Sequence, residues 1–203
     1  MRLSDCRVFR LAGILLALVG LLMLPACWVT SINGLSEQGL SGSDQDQIFD
    51  PSLVGSWGTT SDNCAITLVI TAKNKDYEWQ TTSVGEGCDE DKPPKSYYEA
   101  QVFKLDNHQF LDLTARRADV CDMCTAVHGI FLIQLDKDSF SLAAIDSDWL
   151  KNGLEQKTVT LATMPDDTDT LTASPKDLKA FCRKYADDKE AFKPIPNLTF
   201  KRK

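Results

Sequence analysis

The chain has 203 residues, of which 43% are hydrophobic and 25% charged, a balance that excludes a disordered or fibrous protein and fits one globular domain. Its formal net charge is −7, and the basic end Lys201-Arg202-Lys203 forms no extended stripe. An acidic surface of this kind repels phosphate backbones, so nucleic acid is disfavoured as a partner.

The first element in chain order is an address. Residues 1–26 carry Arg2, Arg7 and Arg10 against Asp5, followed by an apolar run over 11–24 with no polar side chain. That is the layout of a secretory signal peptide. A membrane span needs about 20 apolar residues, so the run is short for one. A retained anchor extending through Trp28 and Val29 is the alternative. Leu24-Pro25-Ala26-Cys27 resembles the lipobox of bacterial lipoproteins: an aliphatic residue, two mostly small residues and a cysteine, with Pro25 the one departure. The resemblance implies a diacylglycerol on the Cys27 thiol, cleavage just before it, and a cell-envelope protein whose partner is the membrane, held through its N-terminal lipid. Two or three acyl chains anchor stably where one does not. Because Trp28 rather than Asp follows the cysteine, the resemblance further implies the outer membrane if the host is Gram-negative.

Residues 27–50 follow as the lipidated cysteine and a Gly-, Ser-, Gln- and Asp-rich segment without periodicity. They are expected to form a flexible tether spanning on the order of 25 Å. Residues 51–203 then read as a single β-rich domain. Ile66, Leu68 and Ile70 alternate within Ala65–Ala72, and Asn74-Lys75-Asp76 turns the chain into Tyr77–Ser83. Asp106-Asn107-His108 separates 97–105 from 109–115 as a hairpin tip. Val127, Gly129, Phe131, Ile133 and Leu135 share one strand face. After Asp136-Lys137-Asp138, Phe140, Leu142 and Ala144 continue it. Thr158–Thr163, Asp169–Thr172 and Asn197–Lys201 are later strand candidates.

Two helices interrupt the pattern. One is short, near 148–153, with Asp146 or Ser147 as its cap. The other is near 175–186, where Ser174 caps, Pro175 takes the first position and Asp177 completes the capping arrangement. Leu178, Phe181, Cys182 and Tyr185 make an apolar stripe that should lie against the sheet, and Pro194 and Pro196 stop continuation. The whole predicts a mainly β fold, an antiparallel meander closing into a barrel that hides its edges.

Leu53-Val54-Gly55-Ser56-Trp57 opens the first strand of that domain and resembles the G-x-W signature of lipocalins and related calycins. The resemblance implies an up-and-down eight-stranded barrel. In it Trp57 closes one end beneath an arginine, a place for which the resemblance offers Arg202 as the counterpart, through cation–π contact. It also implies a small apolar ligand inside the barrel. A core aromatic without that role is the alternative for Trp57.

Of seven cysteines, Cys6 leaves with the signal and Cys27 carries lipid. Cys64, Cys88, Cys121 and Cys124 are disulfide candidates in an oxidising compartment, with Cys64–Cys88 a natural pair, and Cys182 is expected to be a free buried thiol. Cys121 and Cys124 form either a short disulfide, a metal site with His128 (Cys88 or His108 approaching as fourth ligand), or a redox dithiol. No nucleophile elbow, zinc-protease, P-loop or dinucleotide motif is present, and no cofactor is implied. The leading expectation is a non-catalytic envelope lipoprotein that binds a small apolar ligand or an envelope protein partner. The alternative is a metal-binding or thiol-redox protein using Cys121 and Cys124.

Overall fold

A computed structural model describes residues 28–37, 44–61, 63–88, 95–115 and 126–203. The strands, in chain order, are β1 (Thr30–Ser31), β2 (Gln47–Ile48), β3 (Gly55–Ser61), β4 (Cys64–Lys73), β5 (Asp76–Val84), β6 (Lys95–Leu105), β7 (His108–Ala115), β8 (His128–Leu135) and β9 (Ser139–Ile145). The helix α1 (Ser147–Glu155) comes next, then β10 (Thr163–Met164), β11 (Asp167–Leu171), α2 (Pro175–Tyr185) and β12 (Phe192–Arg202). Strands β3 to β9 pair in sequence as an antiparallel meander. Strand β12 inserts between β9 and β3 and closes the ring into an eight-stranded barrel, as predicted.

Period-two alternation sorts the side chains of this wall. Inside stand Trp57, Leu68, Ile70, Tyr77, Trp79, Tyr98, Val102, Leu111, Phe131, Ile133, Phe140, Leu142 and Phe200. Phe140 is their hub, packing against Trp57, Trp79 and Phe200 at centroid distances of 4.9, 6.0 and 5.0 Å. Strands β6 to β9 are apolar on their outer face too. There Phe103, Phe110, Ile130, Leu132 and Ala143 join a second core with Leu150 of α1 and Leu178, Phe181 and Cys182 of α2. Burial on both faces accounts for runs such as Ile130–Ile133 that do not alternate.

One end of the barrel carries the turns at 74–75, 106–107 and 136–138; the other, where β3, β5 and β7 end and β4, β6 and β8 begin, is the loop end. The hairpin end is shut by a 3-10 turn at Pro51–Leu53, whose Leu53 carbonyl accepts the Trp57 indole N–H at 2.9 Å. The Arg202 guanidinium lies 4.2 Å over the Trp57 ring and donates to the carbonyls of Val54 and Ser52. Gly55 adopts φ +143°, and a Cβ there would meet Arg202 Nη1 at 2.8 Å, so both backbone and space call for glycine. At the loop end, Cys64 and Cys88 form a disulfide.

Several expectations need correction. Residues 28–37 and 44–50 are no tether. β1 pairs with β11 and β8, β2 pairs with β6, and Leu35 and Asp44 are buried. Their polar side chains supply hydrogen bonds to the body rather than solvation. Thr158–Thr163 pairs in the sheet only at Thr163. Its N-terminal part folds back on α1, with Thr158 and Val159 N–H donating to the Gly153 carbonyl and Val159 and Leu161 buried. Helix α2 ends at Tyr185, well before Pro194 and Pro196. Both prolines lie in β12, where the register shifts between Pro194 and Thr199, an irregularity that tolerates a missing N–H. The first helix, expected near 148–153, runs over Ser147–Glu155 with Asp146 as its cap, and Ser174 caps α2 as expected. Cys27, Cys121 and Cys124 lie outside the described residues.

Candidate functional site

Outward positions on β6, β7 and β8 turn polar at the margin of the outer core. Gln101 stands opposite Asp112, and Thr114 opposite His128. Asp112 is buried, and its two oxygens are fully used: Oδ1 lies 2.6 Å from His128 Nδ1, and Oδ2 accepts the Leu35 N–H at 2.7 Å. Thr114 Oγ1 is 3.0 Å from the same His128 nitrogen. The buried carboxylate therefore assigns Nδ1 as a donor, so a ligand would meet the ring at Nε2. Burial of the ring works against its charge, but the hydrogen bond to Asp112 and the charge of that carboxylate outweigh it, and the pKa of His128 is raised.

The N-terminal segment forms the other wall. Ile32 N–H donates to the Leu171 carbonyl, and the Asn33 amide to the Ala173 carbonyl at 3.0 Å. Gly34 presses on the pair: a Cβ there would meet Asp112 Oδ2 at 2.5 Å and His128 Cε1 at 2.7 Å. Between these walls lies a pocket of about 320 Å³, lined by Ile32, Asn33, Gly34, Ser36, Glu37, Gln101, Asp112, His128 and Pro175. That volume lies within the range of small-molecule sites. Chemically the pocket offers an imidazole that donates or accepts at Nε2, with side-chain oxygen acceptors around it. Among the described residues no group of three or more His, Cys, Asp and Glu side chains is arranged to hold a metal.

A salt-bridged cluster holds the same segment from behind. Lys179 of α2, itself buried, contacts Asp44 Oδ1 and Oδ2 at 2.7 Å each and Asp46 at 2.9 Å, and Arg183 adds a contact to Asp46 at 3.1 Å. Burial opposes the charges on Lys179 and Asp44. Their mutual contacts outweigh it, leaving the lysine pKa raised and that of Asp44 lowered. Asp44 also accepts the Glu37 N–H at 3.1 Å, so the cluster fixes the strap that walls the pocket.

The residues singled out from sequence fall in three places. Gly55, Trp57 and Arg202 meet at the hairpin end. Cys64 and Cys88 meet at the loop end. His128 alone belongs to the pocket, and its Nδ1 is committed to Asp112. Cys88, spent in the disulfide, is not a fourth metal ligand. Nor is His108, since it begins β7 while His128 stands opposite Thr114 near the other end; six residues of strand separate those levels, about 20 Å. Cys182 is buried and free, with burial pushing its thiol pKa well up, which makes it an inert core side chain. Asp112, Gln101 and the strap at 32–37 were missed. The signal was an acid inside the apolar strand Phe110–Leu113, a position that needs a partner.

Comparison of the chain with protein-family profiles, with curated proteins and with solved structures finds no match.

Proposed function

We propose that this chain is a non-catalytic lipoprotein of the cell envelope, acylated at Cys27, in the outer membrane if the host is Gram-negative. Its barrel serves as a binding module, and the pocket at Asp112 and His128 holds a small ligand bearing hydroxyl or amino groups. The address is supported by the lipobox residues 24–27, and by the Cys64–Cys88 disulfide, a bond of oxidising compartments. The observation that carries the binding role is the buried Asp112–His128 pair facing a pocket of about 320 Å³. An apolar ligand inside the barrel has less support, because the interior from Leu53 to Phe131 is occupied by the protein's own side chains. The hydroxyl in contact with His128, Thr114 Oγ1, meets the ring at Nδ1, the nitrogen that donates to Asp112; that nitrogen has no lone pair with which to activate it, so the pair reads as a recognition element rather than a catalytic base.

The test is NMR titration of the protein purified from its membrane with glycerol, ethanolamine, acetate and decanoate in turn. Saturable shifts at His128, Gln101 and Asn33 with glycerol or ethanolamine are expected. Shifts confined to the Trp79 indole with decanoate would return the ligand to the interior, and no saturable shift with any probe would sink the binding role. Intact mass of the same sample reads the acylation of Cys27 separately.

A second reading keeps the metal-binding or thiol-redox role for Cys121 and Cys124. One observation favours its metal form: a histidine that ligates a metal commonly donates its other N–H to a carboxylate, as His128 does to Asp112. Binding of one zinc ion per chain, lost in His128→Ala, would establish it over the first.

A further inference from the structure

Because the strap pairs with the body at Thr30 and Ser31, a lipid on Cys27 would do more than tether the domain. Trp28 is not the start of a linker. It packs edge-on against Phe131 at a centroid distance of 5.7 Å and joins the interior core. Three residues later Ser31 pairs with His128, the first residue of β8 at the loop end. Cys27 is therefore bonded to a residue seated at that end, with Cα atoms about 3.8 Å apart. Even if residues 1–26 stay attached, the apolar run ending at Leu24 lies only four residues away, at most about 14 Å of chain. Either anchor pins the same end of the barrel to the bilayer.

The surface of that end agrees. Four large apolar side chains are exposed among the described residues: Phe49, Val84, Val127 and Met164. Val84 ends β5 and Val127 precedes β8, so two of the four stand on the loop-end rim, and Val84 is the most exposed at 67%. Phe49 stacks on Tyr77 at the hairpin end, and Met164 lies in β10 at the margin of the sheet. Tryptophan is enriched where a membrane meets water, and Trp28 stands beside the anchor at the same end that bears two exposed valines.

We propose that the loop end of the barrel, marked by Trp28, Val84 and Val127, docks directly on the lipid bilayer, with the hairpin end and its Trp57–Arg202 closure pointing away. This rests on the anchoring read from residues 11–27. It adds an orientation, which a flexible tether would not impose, and places the pocket at His128 close to the membrane surface.

The experiment uses protein purified from its own membrane and reconstituted in phosphatidylethanolamine–phosphatidylglycerol vesicles whose acyl chains are brominated near the headgroup. Bromine is expected to quench a tryptophan fluorescence component that Trp28→Phe lacks. Hydroxyl-radical oxidation of Val84 and Val127 should fall at least threefold on reconstitution, while Met164 and Phe49 stay unchanged. Equal quenching of wild type and Trp28→Phe, or oxidation of Val84 and Val127 as fast in vesicles as in the same protein before reconstitution, overturns the docking. Protection that appears only with a co-purified protein overturns it in favour of a protein partner. Mass at the N-terminus separates the two failures. Acylated protein without protection defeats the docking alone, whereas cleaved, unacylated protein defeats the anchoring and the docking together.

Discussion

Single residues in this fold are set by the partner that burial forces on them. Asp112 stands between Leu111 and Leu113 with both oxygens bonded, one to His128 and one to a backbone N–H. Because the fold raises the His128 pKa above its ordinary 6.5, it favours the protonated ring. The stabilisation is fully present below that ordinary value and is lost as pH rises through the higher folded value. An NMR titration of the ring should show a midpoint above 6.5 in the native protein. In Asp112→Asn only the opposing effect of burial remains, so the midpoint should fall below the ordinary value. A midpoint unmoved by that substitution would mean the carboxylate does not govern the ring. Gly34 tests the same site by size. Ala at 34 puts a methyl 2.5 Å from Asp112 Oδ2, and both contacted groups are held. The substitution is expected to cost about 1–3 kcal/mol as an overpacked site, measured by urea denaturation, and to lengthen the Asp112–His128 contact. Val at 34 should cost more.

At the scale of elements, periodicity was legible and polar anchoring was not. The stripe Leu178, Phe181, Cys182 and Tyr185 places α2 on the wall because it repeats at helical spacing, and Ser174 and Pro175 mark its start. Lys179 sits beside that stripe and by composition belongs in solvent, yet it is buried. What buries it is the pair Asp44 and Asp46, 133 to 135 residues away in the chain, a distance over which no local pattern operates. The same partners explain why residues 28–50 read as a tether: their Asp, Asn and Ser side chains look solvated until the body supplies their donors and acceptors. Lys179→Met should therefore destabilise by about 3–5 kcal/mol, since Asp44 is left buried without its counter-charge. Replacing Asp44 and Asp46 by Asn together with Lys179→Met should recover part of the loss. The pH dependence has a definite sign. The fold lowers the Asp44 pKa from 3.8, so this contribution is present above 3.8 and disappears as pH falls through the lower folded value. Acid should release the strap from α2 first, seen as hydrogen exchange at Glu37 and Asp46 before the barrel strands open.

For the whole molecule, the barrel was readable because its signals are local: alternation in β4, β8 and β9, and the turns at Asn74, Asp106 and Asp136–Asp138. Which strand closes the ring was legible only through the resemblance that sets Arg202 over Trp57 and not from any local pattern, since β12 joins β3 across about 145 residues and through a pairing of only two registered positions, Lys201 with Gly58 and Arg202 with Trp57. So thin a seam needs side chains, and Arg202 provides them by covering Trp57 and tying β12 to the 3-10 turn at Pro51–Leu53. The opposite end is held covalently by Cys64–Cys88, whose sequence separation of 24 corresponds to a loop-closure contribution of about 3 kcal/mol. Arg202→Ala should cost about 1–2 kcal/mol, from the lost ring contact and the carbonyls left without a donor. Arg202→Lys should recover only part of it, because an ammonium cannot present the planar fork. Removal of the disulfide as Cys64→Ala with Cys88→Ala should cost about 3 kcal/mol. The two closures lie at opposite ends and share no side chain, so the triple variant should lose the sum of the two effects within about 0.5 kcal/mol. A loss well short of that sum in chemical denaturation would mean that opening one end already releases the other, and that the barrel closes as a single cooperative ring rather than by two independent clasps.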